Sequence, residues 1–331
     1  MTVPLRARPS RHRRLLLALP STLLLGPLAA AAQGSWPERP VRWVVGFPPG
    51  GGVDVMARIL AQPLGELLAR QVVIDNRPGA ASNLAMAEVA RTAADGYTFL
   101  IGPSTVESAN PSLYKVAANP ATDLVPVGGV GRYQLHLIVR PDLPVRDVAE
   151  LVAYARSNPG KVNYASAGAG TTPHLVSELF LQQAGIQAVH VPYRGSAPAL
   201  QAVMAGEADF VMDPGISFQH VRTGKVRMFA VASGVRSRQF ADVPTLAEAG
   251  LPGIDGDTWV GLWAPQGTPE AARAGLARAL QQVLAQEEVR QKFHALNGEA
   301  VFLDAAAYRS LLARETRVFS ALIRERRIAV E

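Results

Sequence analysis

Cysteine is absent from this chain of 331 residues. That excludes disulfides, thiolate nucleophiles, cysteine-ligated metals and acylation of a lipoprotein-type cysteine. Several catalytic and nucleotide signatures are missing as well. No G-K-[ST] follows Gly50, Gly51 and Gly52, so a phosphate loop would lack both its lysine and its magnesium-holding hydroxyl. GGVGRY at 128–133 and GAGTTP at 168–173 fail the G-x-G-x-x-G spacing of a dinucleotide fingerprint. Neither a G-x-S-x-G elbow nor an H-E-x-x-H pair occurs. The histidines His12, His136, His174, His190, His220 and His294 are scattered without metal-ligand spacing. Ser166, His174 and Asp213 can be named as a triad only because such residues are common. No catalytic group, metal or cofactor is expected.

Acidic residues are missing from the first 32 positions, which hold Arg6, Arg8, Arg11, Arg13 and Arg14. The apolar run LLLALPSTLLLGPLAAAA follows (Leu15 to Ala32), with Ala30-Ala31-Ala32 fitting a small-residue cleavage site before Gln33. This pattern reads as a secretory leader at 1–32 rather than a membrane span, because Pro20 and Pro27 interrupt it. The charge argument changes with its removal. Five of the 33 Lys and Arg residues and none of the 27 acids lie in that segment, so the rest carries +1 instead of +6. A pI near 9.9 is then no sign of nucleic-acid binding. The expectation is a protein exported to the periplasm, with no nucleic-acid partner. Its length provides a core large enough to do without staples.

What is present is an alternation. VRWVVGF (Val41 to Phe47), VVID (Val72 to Asp75) and TFLIG (Thr98 to Gly102) read as strands. Between the first two, Met56, Ile59, Leu60, Leu64, Leu67 and Leu68 recur at helical spacing, with Pro63 a local kink. A turn, NRPGAASN, and a helix, LAMAEVARTAA, precede the third. The long apolar run VPVGGVGRYQLHLIVR (Val125 to Arg140) is suited to carry the chain from one lobe to another. The same grammar then restarts: VNYAS, AVHVPY and ADFVMD as strands separated by helices, then MFAVAS, and DTWVGLWAP as a return strand. Two amphipathic helices, beginning at PEAARAGLA and AAAYRSLLA, close the chain. Strands alternating with helices predict an α/β fold of two lobes, each a mainly parallel sheet flanked by helices. The expected division is 33–135 plus 255–331 for lobe 1 and 136–254 for lobe 2.

Small-residue loops fall at four strand ends: 46–54, 77–83, 166–174 and 193–198. In open parallel sheets ligands bind at the carboxyl ends of strands, where helix N-termini present unpaired N–H groups. GFPPGGGVD (Gly46 to Asp54) is such an amide cradle, although a plain strand–helix turn would look alike; Asp54 is able to cap the helix start. ASAGAGTTPHL (Ala165 to Leu175) repeats the design with hydroxyls on Thr171 and Thr172, and Pro173 suits a first helical turn. In VPYRGSAPAL, Tyr193 and Arg194 flank another small-residue loop, and an arginine there invites a bidentate carboxylate contact. Asp213 ends a strand before Pro214. It can receive an ammonium group, act as a general base, or cap the following segment, capping being the simplest of the three.

Seven motifs in order resemble the Bug-type extracytoplasmic solute receptors, the binding proteins of tripartite tricarboxylate transporters. They are WPERPVRWVVGFPPGGGVD, IDNRPGA, ADGYTFLIG, AGAGTTPHL, HVPYRGSAPAL, DVPTLAEAG and WVGLWAPQGTP, from Trp36 to near the C-terminal helix. The resemblance implies a two-lobed type II periplasmic-binding fold (a Venus flytrap). It implies a monomer that holds a small organic carboxylate between its lobes and delivers it to membrane permease subunits. The pincers carried over are Phe47, Pro48, Gly50, Gly51, Gly52 and Asp54 from one lobe and Ser166, Ala167, Gly168, Gly170, Thr171, Thr172 and His174 from the other. Ser104, Thr105, Tyr193, Arg194, Gly195, Ser196 and Asp213 would line the remainder. Two departures from the family pattern stand out. Ala80, Ala81 and Ser82 follow Gly79 where further glycines are usual, implying a looser helix approach. Gly46 stands where proline is common, with a shift of Phe47 implied. Two other readings use the same residues: an exported α/β enzyme acting on a small acid, and a ligand-sensing partner of a signalling protein.

Overall fold

The computed structural model describes residues 36–330, together with Thr2. The expected leader at 1–32 lies outside the described residues, Thr2 apart.

Apolar runs bounded by glycine and proline become strands. In chain order these are β1 (Val41–Val45), β2 (Val72–Asn76), β3 (Thr98–Pro103), β4 (Leu124–Tyr133), β5 (His136–Val139), β6 (Asn163–Ser166), β7 (Val189–Pro192), β8 (Phe210–Asp213), β9 (Arg227–Val231), β10 (Thr258–Pro265) and β11 (Gly298–Glu299). They assemble into two sheets, ordered β11-β4-β10-β3-β1-β2 and β7-β6-β8-β5-β9. Each contains the same arrangement, in which three parallel strands meet one reversed strand, which in turn pairs with a strand running with the first three. β10 is the reversed strand in the first sheet and β5 in the second. The long run expected to cross between lobes does so: β4 belongs to the first sheet and β5 to the second, with Gln134 and Leu135 between them.

Alternating side chains send the two faces of each sheet into separate cores. In β1, Val41, Trp43 and Val45 pack with Met56, Leu60 and Leu64 of the helix Gly52–Leu68 and with Leu276 and Leu280 of Glu270–Leu284. Val44 faces the other way, with Trp263, Tyr308 and Leu312. In the second sheet Tyr164, Phe210 and Met212 pack with Val176, Phe180 and Leu181 of Thr172–Ala184, while Ala165 and Val211 meet Ala199, Leu200 and Val203 of Ser196–Met204. Removing about one CH2 from such a core costs on the order of 1 kcal/mol, so this patterning determines which loops emerge at the cleft.

Helix starts and stops are chemically marked in places. Asp147 and Asp304 accept from Glu150 N and Ala307 N at 2.8 Å, capping the helices Val148–Ser157 and Ala305–Arg326. Gly185, at φ 61°, ends Thr172–Ala184. The run beginning at PEAARAGLA forms two helices, Glu270–Leu284 and Glu287–Ala295, not one. The break at Ala285 and Gln286 turns Val289 and Phe293 onto the first core. The last helix reaches the start of Thr172–Ala184, where Phe319, Leu322 and Ile323 pack with Leu175 as well as with Ala109. There Arg326 Nε also donates to Glu178 Oε2 at 2.7 Å.

Candidate functional site

Between the two sheets lies a cavity of about 450 Å³. Three helices begin on it. Gly52–Leu68, Thr172–Ala184 and Ser196–Met204 have Gly51, Thr171 and Gly195 as N-caps, and none of the three makes a side-chain cap bond. Gly51 (φ −71°, ψ 159°) and Thr171 (φ −71°, ψ 158°) repeat one backbone geometry from opposite lobes. Helix starts left open in this way present N–H groups and the positive end of the helix dipole to the cavity. Each favourable charge–dipole contact contributes about 0.3–1 kcal/mol, more when water is excluded. Phe47, Pro48, Val53, Pro103, Pro173 and Pro214 supply apolar walls. Among the described residues of the lining, Arg194 alone carries a charge; it is exposed and makes no hydrogen bond or ion pair with another described residue.

Of the residues singled out from sequence, Phe47, Pro48, Gly51, Gly52, Thr105, Ala167, Gly170, Thr171, Thr172, Arg194, Gly195 and Ser196 line this cavity. Others stand behind it. Asp54 accepts from Gly50 N (2.8 Å), Asn76 Nδ2 (2.9 Å) and Arg58 Nε (3.0 Å), which shapes the first glycine loop. Burial alone would raise its pKa, but the bonds from Arg58, Gly50 and Asn76 hold it below the usual carboxylate range. Ser104 is buried, and its N–H donates to Trp259 O at 2.8 Å. Gly168 O accepts from Thr171 Oγ1 at 2.7 Å, tying the second loop to itself. Tyr193 points its hydroxyl to Glu207 at 3.5 Å. Asp213 turns onto its own loop: Oδ1 accepts from Gly215 N (2.8 Å), Ser217 N (3.0 Å) and Ser217 Oγ (2.8 Å), and burial raises its pKa.

His174 supports the second loop from below, accepting from Gly170 N at 3.0 Å through Nδ1. Its ring stacks on His190 at 3.9 Å between centroids and 7° between planes. Burial and the adjacent His190 hold His174 down to about 3, and burial also lowers His190. Ser166 Oγ lies 2.7 Å from His190 Nε2. This serine–histidine pair is not a nucleophile facing the cavity, because Ser166 is fully buried and absent from the lining.

Val53 and Pro173 lie within the two stretches expected to act as pincers, whereas sequence reasoning missed Ala81, Pro103, Tyr133, Pro214 and Thr258 among the lining residues. Most adjoin a motif residue. Tyr133 does not, and it meets Thr258 as a cross-strand partner where β4 and β10 pair. Packing against the core pushes the Tyr133 phenol up to about 12, and the adjoining Thr258 hydroxyl offsets part of that. The two hydroxyls are neighbours short of hydrogen-bond geometry, since Thr258 Oγ1 has no such partner.

Two similar lobes closing on a cavity rimmed by open helix starts define a type II, two-lobed solute-binding protein. Residues 56–328 match the tripartite tricarboxylate transporter family receptor model, and the chain belongs to that family. BugT of Bordetella pertussis is 35% identical over 308 residues, covering 91% of this chain and 93% of that protein. Rpa4515 of R. palustris, solved with adipate, superposes with a TM-score of 0.80 at 34% identity, covering 89% of this chain and 100% of that one. MatC of Rhodopseudomonas palustris, solved with bound malate, gives 0.75 at 31% identity, covering 87% of this chain and 100% of its own.

Proposed function

We propose that this chain is a periplasmic receptor that captures a small organic carboxylate between its lobes, without catalysis, and delivers it to the membrane permease of a tripartite tricarboxylate-type transporter. In this reading 1–32 is a cleaved leader, lobe 1 is 33–135 plus 255–331, lobe 2 is 136–254, and the receptor acts as a monomer. The observation that carries the reading is the convergence of three helix starts without side-chain caps on one cavity whose lining holds Arg194 and no carboxylate. An anion there gains from the dipoles and meets no repulsion. The adipate and malate held by related receptors favour a carboxylate over other anions.

A thermal-shift comparison tests this. Protein refolded free of carried ligand is melted with small carboxylates and with their neutral amides. At a hundredfold excess over Kd, binding stabilises by about 2.7 kcal/mol, or several degrees. A shift with an acid and none with its amide is expected. Equal shifts for both would overturn the reading.

A further inference from the structure

The cavity has a second polar end that the helix starts do not explain. In the first sheet β10 and β4 lie two and three strands away from β1. At a strand spacing of about 4.8 Å, that places the strands carrying Thr258 and Tyr133 roughly 10–14 Å from the strand that leads into the Gly51–Gly52 cradle. The pair faces one another directly in the antiparallel ladder, and both residues line the cavity. Thr258 is 2% exposed, and its hydroxyl makes no hydrogen bond within the protein. A buried hydroxyl left unmatched is costly, and one that borders a ligand cavity is matched when a ligand fills it.

The charges around this end decide what kind of group fits. Arg132, which precedes Tyr133, is committed to Asp257 and to Glu299, the latter at 2.9 Å. Asp257, which precedes Thr258, and Glu299 take up that guanidinium, so it is not offered to a ligand at this end. Among the described residues that line the cavity, Arg194 alone is a cation. Tyr133 and Thr258 each offer one donor and spare acceptor capacity, which suits a hydroxyl or carbonyl better than a second full negative charge.

Resting on the carboxylate reading above, we propose that Tyr133 and Thr258 are specificity-determining residues that read the far end of the ligand as a neutral hydrogen-bonding group. The preferred ligand class is an elongated monocarboxylate bearing a terminal hydroxyl or carbonyl. Allowing a hydrogen bond of about 3 Å at each end, a chain of about six carbons spans the distance.

Isothermal titration with 6-hydroxyhexanoate, hexanoate and adipate tests this on the wild type, Tyr133→Phe and Thr258→Val. The wild type binds the hydroxy acid about tenfold tighter than hexanoate, which leaves the two hydroxyls unmatched, and about tenfold tighter than adipate, whose second charge finds no free cation at this end among the described residues. Each variant cuts the preference over hexanoate to about twofold or less, read as the ratio of the two affinities in the same variant. Adipate binding tighter than the hydroxy acid overturns the inference and leaves the carboxylate reading standing. So does an equal loss of all three ligands in the variants, which would mark a structural role. Failure of the wild type to bind any of the three acids while folded would count against the carboxylate reading and the inference together.

Discussion

The Ser82 hydroxyl occupies the space that a side chain on Gly46 would need: a Cβ built at 46 falls 1.7 Å from Ser82 Oγ and 2.6 Å from Ser82 Cα. The two departures from the family pattern are thus in contact with each other. The loop is not loosened, since Ser82 is fully buried. Ala80, Ala81 and Ser82 instead hold left-handed φ values of 47°, 51° and 78°, a conformation that L-residues adopt at a cost of about 1–2 kcal/mol each. Gly46→Ala is expected to destabilise by about 1–3 kcal/mol through overpacking. Adding Ser82→Gly recovers only part of this, because the Cα also lies too close. Urea unfolding of the two singles and the double measures the coupling; strictly additive effects would contradict the contact.

Asn297 bridges the lobes beside the cavity. Its Nδ2 donates to Gly215 O and its Oδ1 accepts from Gln239 Nε2, both at 2.7 Å. Asn297 itself sits at φ 59°, so glycine removes both bonds without adding strain. Asn297→Gly is expected to lose about 1–2 kcal/mol of closed-form stabilisation. Stopped-flow ligand release should be several-fold faster, with the same ligand preferences. An unchanged release rate would show that the bridge does not hold the lobes together.

His174 makes stability depend on pH in a definite direction. The unfolded imidazole takes up its proton near 6.5, whereas burial beside His190 delays this in the folded protein until about 3. Below 6.5 the unfolded state therefore binds more protons, so the contribution is intact above 6.5 and is lost as pH falls toward 3. The slope is about 1.4 kcal/mol per pH unit. His190, lowered by burial, and His136, lowered to about 4, add to the same trend. Melts of wild type and His174→Gln from pH 7.5 down to the acid limit should diverge, the wild type losing more. Parallel curves would remove His174 from the account.

Asp213 offers a negative test. Its Oδ1 is occupied by Gly215 and Ser217, and it is not part of the lining. Asp213→Asn retains an oxygen in that place, so acid affinity should change by less than about threefold, as for a group that does not meet the ligand. An affinity gain of tenfold or more would mean that its charge is felt in the cavity.

Much of this molecule was legible from local pattern. Gly51, Thr171 and Gly195 were found because an apolar strand, a small-residue loop and a restarting helix form one continuous signal. Val125 to Arg140 was readable as a crossing because its apolar run is too long for one strand. Tyr133 and Thr258 carried no such signal: only the pairing of β4 with β10, far apart in sequence, brings them to the cavity. The turn of Asp213 away from the cavity was open for a different reason. A carboxylate before Pro-Gly caps its loop or faces a ligand depending on burial, which a linear pattern does not contain. The break at Ala285 was equally invisible, since neither proline nor glycine marks it.

The most direct measurement is a crystal structure of the refolded protein with the acid that gives the largest thermal shift. The account predicts one ligand carboxylate within about 3 Å of N–H groups in the first turns of Gly52–Leu68, Thr172–Ala184 or Ser196–Met204, with Arg194 turned toward it. A carboxylate held elsewhere, with those N–H groups left to water, would contradict it.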